Sequence, residues 1–473
     1  MIVRRLLIAN RGEIAVRVIR TCRRLGIETV LAVSDTDAGS VPAALADRTV
    51  RIGPAGAAQS YLNVDAVVAA ALATRADAIH PGYGFLSENP RLAQACEAAG
   101  IVFVGPGSEV LEAAGDKLAA RGHAVAAGLP VLPGGLVDPA DAEGVRALAG
   151  RIGYPVLVKA VGGGGGRGLR VVGDPGQLGD AMAMASAEAD AAFGDPRVYL
   201  ERYVTAARHV EVQLLGDGRN VIHLGDRDCS VQRRYQKVVE EAPAPLLGET
   251  LRVSMRAAAV ALGQHLKYQG AGTVELLVDQ GSEEFYFLEV NARIQVEHPV
   301  TEMITGVDLV AEQIAIAEGR GLRLSQAGVR FSGHAIEVRI NAEDPAAGFR
   351  PSPGTVTGAV FSAGPGIRVD THLQAGSAVP PQYDSLLAKL IVTGADRAGA
   401  LVRLRGALAR CRIEGVATNL GLLAAVADDE EFATGGVDTG YLERWLAPRS
   451  EEAGWPGGEP LLVRDEKIGD TRG

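Results

Sequence analysis

The stretch Glu284-Phe-Tyr-Phe-Leu-Glu-Val-Asn-Ala-Arg-Ile-Gln-Val-Glu-His-Pro299 narrows the choice of fold more than any other in the chain. It opens as a strand, aromatic and β-branched, behind the turn-forming Asp279-Gln-Gly-Ser282. It then places charge where a buried strand would carry hydrophobes. If the backbone stays extended, Glu289, Asn291, Arg293, Gln295 and Glu297 share one side. So polar a face beside so apolar a run demands partners. The preceding strand, Gly272-Thr-Val-Glu-Leu-Leu-Val278, offers one. A register that sets Glu275 opposite Glu289 brings their Cβ atoms to about 4.5–5.5 Å, where two carboxylates repel unless a cation intervenes. Hard oxygen ligands without His or Cys suit Mg²⁺ or Mn²⁺. A two-residue turn at Gly281-Ser282 would slip the register by one and put the acids on opposite faces, so the expectation is a longer loop or a bulge. The competing reading is two exposed acids on a solvated sheet face.

At 473 residues, 47% hydrophobic and 22% charged, the chain fits two or three globular domains. A net charge of −10 makes it a poor nucleic-acid binder overall. Cys22, Cys96, Cys229 and Cys411 form no C-x-x-C pair, which argues against a zinc site or disulfide framework and fits a reducing cytoplasm. No signal peptide is expected, because Met1–Asn10 runs straight into a folded-looking unit. No apolar run approaches the roughly 18–20 residues of a membrane span. One bias is informative: of 47 basic residues only Lys117, Lys159, Lys237, Lys267, Lys389 and Lys467 are lysines. In a chain that uses Arg by default, a Lys within a motif suggests a place for a compact ammonium.

Val3–Ala9 reads as a buried strand, Gly12–Leu25 as a helix with Ile14, Val18 and Cys22 at helical spacing, and Gly26–Val33 as the next strand. Later strands at 76–80 and 101–104 complete an alternating βα pattern, hence a parallel doubly wound sheet. His80-Pro-Gly-Tyr-Gly-Phe85 falls at the strand end where such sheets bind ligands, though His80 and Tyr83 could equally be loop packing. A helical stretch over 109–128 leads to the strand Tyr154–Val161, the loop Gly162-Gly-Gly-Gly-Gly-Arg-Gly168 and the strand Leu169–Val172. A Rossmann fingerprint would open a helix here, and no Gly-Lys-Ser/Thr closes a Walker A loop. What remains is a hairpin tip whose bare N–H groups can close over phosphates. From Val198 the pattern turns antiparallel, with Asp226–Val239 as a charged connection, helices over 249–269 and 301–318, and further strands at 334–340 and 383–390. Residues 448–473 read as a disordered tail.

Lys117 and Lys159, a glycine lid and facing acids together describe phosphoryl-transfer chemistry without a Walker A loop. That combination resembles the ATP-grasp fold. The match becomes specific with Ala9-Asn-Arg-Gly-Glu-Ile-Ala15, His80–Asn89, Arg227-Asp-Cys-Ser-Val-Gln-Arg-Arg234, Gln236–Pro243, Glu289–Glu302, Arg339-Ile-Asn-Ala-Glu-Asp-Pro345 and Tyr383-Asp-Ser385. These blocks, in order over residues 3–446, are similar to biotin carboxylase. The resemblance implies an α/β and α+β architecture: a Rossmann-like N-terminal domain (1–114), a linker helix (115–130), an ATP-grasp lid (131–203) and core (204–330), and an antiparallel C-terminal domain (331–447).

It implies, too, that ATP and bicarbonate give carboxyphosphate and ADP, after which biotin N1′ takes the carboxyl group. By position, Lys117, Lys159, Glu201, His209, Gln232 and Gly164, Gly165 and Gly166 would hold ATP. Glu275, Glu289 and Asn291 would hold two Mg²⁺ or Mn²⁺ ions. Lys237, Arg293, Gln295 and the Val296 amide would hold bicarbonate, with Glu297 as its base. Arg339, Tyr83 and Asp384 would face biotin. Tyr235 stands where many relatives carry His, and Arg202 where Lys is frequent. No Met-Lys-Met biotin attachment segment is present. The resemblance therefore implies a homodimeric subunit serving a separate biotin carboxyl carrier protein and a carboxyltransferase, in acetyl-CoA carboxylation and fatty acid synthesis or in a propionyl-CoA, pyruvate or urea system. The rival readings are a carbamoyl-phosphate-type ligase and an inactive nucleotide-binding paralogue acting as regulator or scaffold.

Overall fold

The computed structural model describes residues 2–139, 141–161 and 169–451. Its first sheet is parallel, with strands Arg48–Gly53, Glu28–Ser34, Arg5–Ile8, Ala78–His80 and Val102–Phe103 side by side in that order. Successive side chains on a strand face opposite ways, so each strand feeds two cores. Leu6, Ile8 and Leu31 pack on Ile14, Val18 and Cys22 of the helix Gly12–Leu25. Leu7, Val30 and Ile79 pack on Val67, Ala71 and Leu92 behind the other face. The sheet is thus doubly wound, as its alternating pattern requires. Gly26 ends the first helix at φ 71°, a left-handed conformation that a Cβ would strain.

The lid is a four-stranded antiparallel sheet, in the order Gly134–Val137, Val198–Arg202, Val156–Ala160, Leu169–Val172. Val156, Val158, Val198 and Leu200 bury against Ala149, Met182 and Ala185 of two helices. The loop containing Gly164, Gly165 and Gly166 lies outside the described residues, as do positions 452–473 of the tail. Residues 448–451, read as tail, instead continue the helix Tyr441–Glu451. The stretch read as one linker helix is two, Ser108–Gly115 and Lys117–Ala126, because Asp116 leaves the helical conformation and caps the second through the Leu118 and Ala119 amides.

The third sheet has eight strands, ordered Glu284–Asn291, Gln269–Asp279, Ala207–Asp217, Val221–Arg233, Gln236–Ala242, His334–Asn341, Leu386–Gly394 and Ile367–Thr371. Asp226–Val239 is not a connection but the heart of a hairpin in it. Its charges are tolerated because they pair across strands, Arg227 with Glu211 and Arg208 with Asp228. The hairpin turns at Arg234 and Tyr235, both at positive φ (46° and 65°), the signature of a two-residue primed turn.

The acidic strand supplies both the longer loop and the bulge. Asp279 pairs with Glu284, leaving a four-residue loop, and that register would set Glu275 opposite Leu288. An irregularity between Glu275 and Leu276 skips Leu288 and sets Glu275 opposite Glu289. The extended run to Glu297 does not occur. The strand ends at Asn291, residues 292–297 loop back, and a helix begins at His298 with Pro299 in its first turn, where proline's missing N–H leaves no bond unmade. Among the described residues no helix is long and apolar enough to cross a membrane.

Candidate active site

A cavity of ≈ 940 Å³ lies where the three sheets meet. The N-terminal domain contributes Tyr83, the linker Lys117, the lid Lys159 and Glu201, and the hairpins His209, Gln232, Lys237, Glu275, Glu289 and Asn291. The loop after Asn291 adds Arg293, Gln295, Val296 and Glu297, and the last sheet strands with their connections add Arg339 and Asp384. Every described residue to which the family resemblance gives a site role therefore borders one cavity. His80 does not: it is buried, contacts Gln313, and is held down to about pKa 4 by burial, as loop packing.

Strand register explains the centre of the site. Glu211 pairs with Glu275, and Glu275 with Glu289, so three carboxylates stand in a row across neighbouring strands. The Lys237 ammonium answers two of them, donating to Glu211 at 2.7 Å and Glu275 at 2.8 Å, and also to Glu297 at 2.6 Å. Burial alone would lower the Lys237 pKa, but these three acids outweigh it and hold the group charged. Two sets of ligand-type atoms gather here, His209–Glu211–Glu275 and Glu211–Cys229–Glu297. Lys237 already serves the acids of both, so an ammonium stands where a metal would.

Glu275 is saturated from one side. Its Oε1 accepts from Lys237, Asn291 and Gln295 at 2.8–2.9 Å, and its Oε2 lies 3.0 Å from His209 Nε2. Glu289, by contrast, is exposed to the cavity. Its place inside the cleft and the Glu275 charge both raise its pKa. This excess of negative charge, all on oxygen, fits a divalent cation held by Glu275, Glu289 and Asn291. Burial would lower the His209 imidazole, but Glu275 outweighs it and raises it. Across the cleft, Lys159 donates to Glu201 at 2.6 Å. Lys117 is lowered, first by burial and, despite Glu289, also by Lys159. Two cations that disfavour each other at a cavity wall describe an anion site.

Glu297 occupies the turn before the helix at His298 and is clamped between cations, Lys237 at 2.6 Å and Arg339 at 2.9 Å. Burial would raise it; Lys237, then Arg339 and Arg227, outweigh burial and hold it well below the usual carboxylate range. Arg339 also donates to Glu240 at 2.5 Å. Burial, opposed by Arg339, leaves the Glu240 carboxyl pushed up to about 7. Arg293 donates to Glu88 at 2.9 Å and Asn291 at 2.7 Å. Arg293 and Arg339 are thus partners for acids and still border the cavity. Arg202 turns to Asp279 at 3.0 Å, tying the lid to the core.

The sequence reading missed Glu211, Arg227, Glu88, Glu240 and Lys389. Glu211 carried a signal: it alternates with His209 on a strand facing Glu275. Arg227, fully buried, donates to Glu211, Gln213, Thr273, Gln295 and Thr301, and so orients both Glu211 and Gln295.

Comparison with known proteins agrees with this geometry. Residues 2–111 match the family model for the biotin carboxylase N-terminal domain. Residues 116–325 match the carbamoyl-phosphate synthase L chain ATP binding domain, and 337–444 the biotin carboxylase C-terminal domain. The central segment alone would leave a carbamoyl-phosphate-type ligase open; the flanking segments decide against it. Biotin carboxylase of Pseudomonas aeruginosa is 51% identical over 444 residues, covering 93% of this chain and 98% of that relative. The crystal structure of a biotin carboxylase–β-γ-ATP complex from Campylobacter jejuni superposes with a TM-score of 0.89 at 43% identity, over 93% of this chain and 99% of that one. The biotin carboxylase domain dimer of Hydrogenobacter thermophilus 2-oxoglutarate carboxylase, in complex with MgADP, ADP and bicarbonate, gives 0.90 at 45% identity, over 96% and 99%. With its cleft, its blocks in order and full-length relatives at half identity, the chain belongs to the biotin carboxylase family.

Proposed function

We propose that this cleft carboxylates biotin with bicarbonate at the expense of ATP, and that the work divides as follows. Lys117, Lys159, Glu201, His209 and Gln232 bind the nucleotide, and Gly164, Gly165 and Gly166 close over its phosphates. Glu275, Glu289 and Asn291 hold Mg²⁺ or Mn²⁺, which when bound neutralises charge on the phosphoryl group in transfer. Lys237, Arg293, Gln295 and the Val296 amide hold bicarbonate. One bicarbonate oxygen attacks the γ-phosphorus, the bond to ADP breaks, and Glu297 takes the bicarbonate proton. The carboxyl C–O bond of the resulting carboxyphosphate then breaks, the leaving phosphate takes the N1′ proton of biotin, and N1′ bonds the carboxyl carbon, while Arg339 stabilises the enolate-like oxygen of the deprotonated biotin with Tyr83 and Asp384 beside it.

The observation that carries this reading is the three-way contact of Lys237 with Glu211, Glu275 and Glu297. A carboxylate held between Lys237 and Arg339 is a weak base. An anion entering beside Arg293 and Gln295 competes for the Lys237 ammonium, frees Glu297 and raises its proton affinity, so the base is switched on by its own substrate. Bicarbonate-dependent ATPase activity stimulated by free biotin tests the assignment. Glu297→Gln is expected to abolish the stimulation and keep ATP binding; retained stimulation refutes Glu297 as base.

The biotin is carried on a separate biotin carboxyl carrier protein, and a carboxyltransferase subunit passes the carboxyl group on, to acetyl-CoA for fatty acid synthesis. Relatives at similar identity serve other acceptors, among them a pyruvate carboxylase subunit from Methanothermobacter thermautotrophicus at 47%. Co-purification with the carrier and transferase separates these. The chain acts as a cytoplasmic homodimer; the Hydrogenobacter domain is described as a dimer.

A further inference from the structure

Lys389, one of the six lysines, is fully buried. The strand Leu386–Gly394 sets it opposite Arg339 on one neighbour and Asp370 on the other. Its ammonium donates to the Val296 carbonyl at 2.8 Å and lies 3.0 Å from Glu13 Oε1, with Asp370 at 4.0 Å. Glu13 in turn accepts the Tyr83 hydroxyl. The Val296 carbonyl belongs to the peptide whose nitrogen is that of Glu297. One buried ammonium therefore grips the backbone of the base and the acid that holds a biotin-side hydroxyl.

We infer that Lys389 is a positioning residue that couples the two halves of the cleft, fixing the Val296–Glu297 peptide on the bicarbonate side and, through Glu13, the Tyr83 hydroxyl on the biotin side. The inference rests on the roles proposed above for Glu297 and Tyr83. Its chemistry is that of an internal strut. Glu13 is 2% exposed and its second oxygen has no hydrogen-bond partner among the described residues, so without Lys389 it would be a buried anion facing only a hydroxyl. A compact ammonium reaches Glu13 and the Val296 carbonyl from one point, whereas a guanidinium would bring five donors into a site with no solvent to take the surplus. This explains a lysine here in a chain that otherwise favours arginine.

The test uses the full chain and steady-state ADP formation with bicarbonate and free biotin. Lys389→Met is expected to lower kcat by about 100-fold, the effect of misplacing a reacting group by about 1 Å. ATP KM should stay within about twofold, since no nucleotide contact changes. Combined with Glu297→Gln, it should lower kcat at saturating biotin no further than Glu297→Gln alone, because with the base absent only the biotin side is left to position. Additive losses, or a wild-type kcat for Lys389→Met, overturn the inference. Glu13→Gln keeps the size and an acceptor, and guards against a misfolded Lys389 variant. It should raise biotin KM about tenfold and leave bicarbonate KM unchanged; an unchanged biotin KM also overturns it. Should Glu297→Gln turn over like the parent, the base assignment itself is wrong and the premise falls separately.

Discussion

The lid sheet and the eight-stranded sheet border the same cleft, yet they handle charge in opposite ways. The lid's strands are four or five residues long and its core is built of small aliphatic side chains. Its cleft-facing pair, Lys159 and Glu201, keeps Lys159 27% exposed. The larger sheet has strands of up to 13 residues and buries Glu211, Arg227, Glu240, Glu275 and Lys389 almost completely. A group that must take hold of a ligand and let it go has to exchange partners with water at little cost. A group that fixes a base does better where every alternative partner is worse. The contrast fits the proposed division between a surface that closes on the nucleotide and an anvil that holds the base.

The largest expected effect tests the anvil. Arg227→Met removes donors to five side chains and leaves the buried Glu211 only the Lys237 ammonium as a donor, so denaturant unfolding should show a loss of about 3–5 kcal/mol. A loss below about 1 kcal/mol would mean the buried network is ornamental and the contrast false.

Glu240 sharpens the same point through pH. Its carboxyl keeps a proton up to about 7 in the folded chain, whereas an unfolded glutamate ionises near 4.3. Between these values the native state binds more protons than the unfolded one, so stability falls as pH rises through the window. Glu240→Gln lacks that loss. Its thermal midpoint, measured against the parent, should climb in relative terms from pH 4 to pH 7, and a constant difference would contradict the assignment.

The lid should behave otherwise. Lys159→Met is expected to raise ATP KM about tenfold while changing stability by less than about 1 kcal/mol, because a partly exposed pair contributes little to folding. The smallest effect belongs to Arg202→Ala, which cuts the lid–core tie to Asp279. Stability should shift by at most about 1 kcal/mol, and the test is whether hydrogen exchange in the lid strands quickens while the core strands stay protected.

Much of this was legible along the chain. The helix Gly12–Leu25 follows from apolar spacing closed by a glycine. The Glu275–Glu289 pairing followed from period-two alternation, given a loop or bulge to set the register. The strand from 220 to 225 was legible, but its continuation through Asp226–Val239 was not, because those charges are those of a surface connection until a second strand supplies Glu211. Nor was Glu240: a carboxyl opposite Glu337 and beside Arg339 has no sequence-local sign, the partners lying about a hundred residues away.

By itself the sequence determined which residue types would be present and which strand faces would be polar, since alternation and spacing are properties of the local backbone. It thereby determined the family and the cations and acids that line the cavity itself, though not the buried ones behind them. Only the tertiary structure decided which acid meets which cation: that Lys237 serves three carboxylates at once, that Glu297 is restrained by two cations, and that Lys389 reaches from Glu13 to Val296. The reason is physical. The sign and strength of a charge interaction depend on burial and on distances of a few ångströms, and those are fixed only when strands far apart in the chain are brought into register.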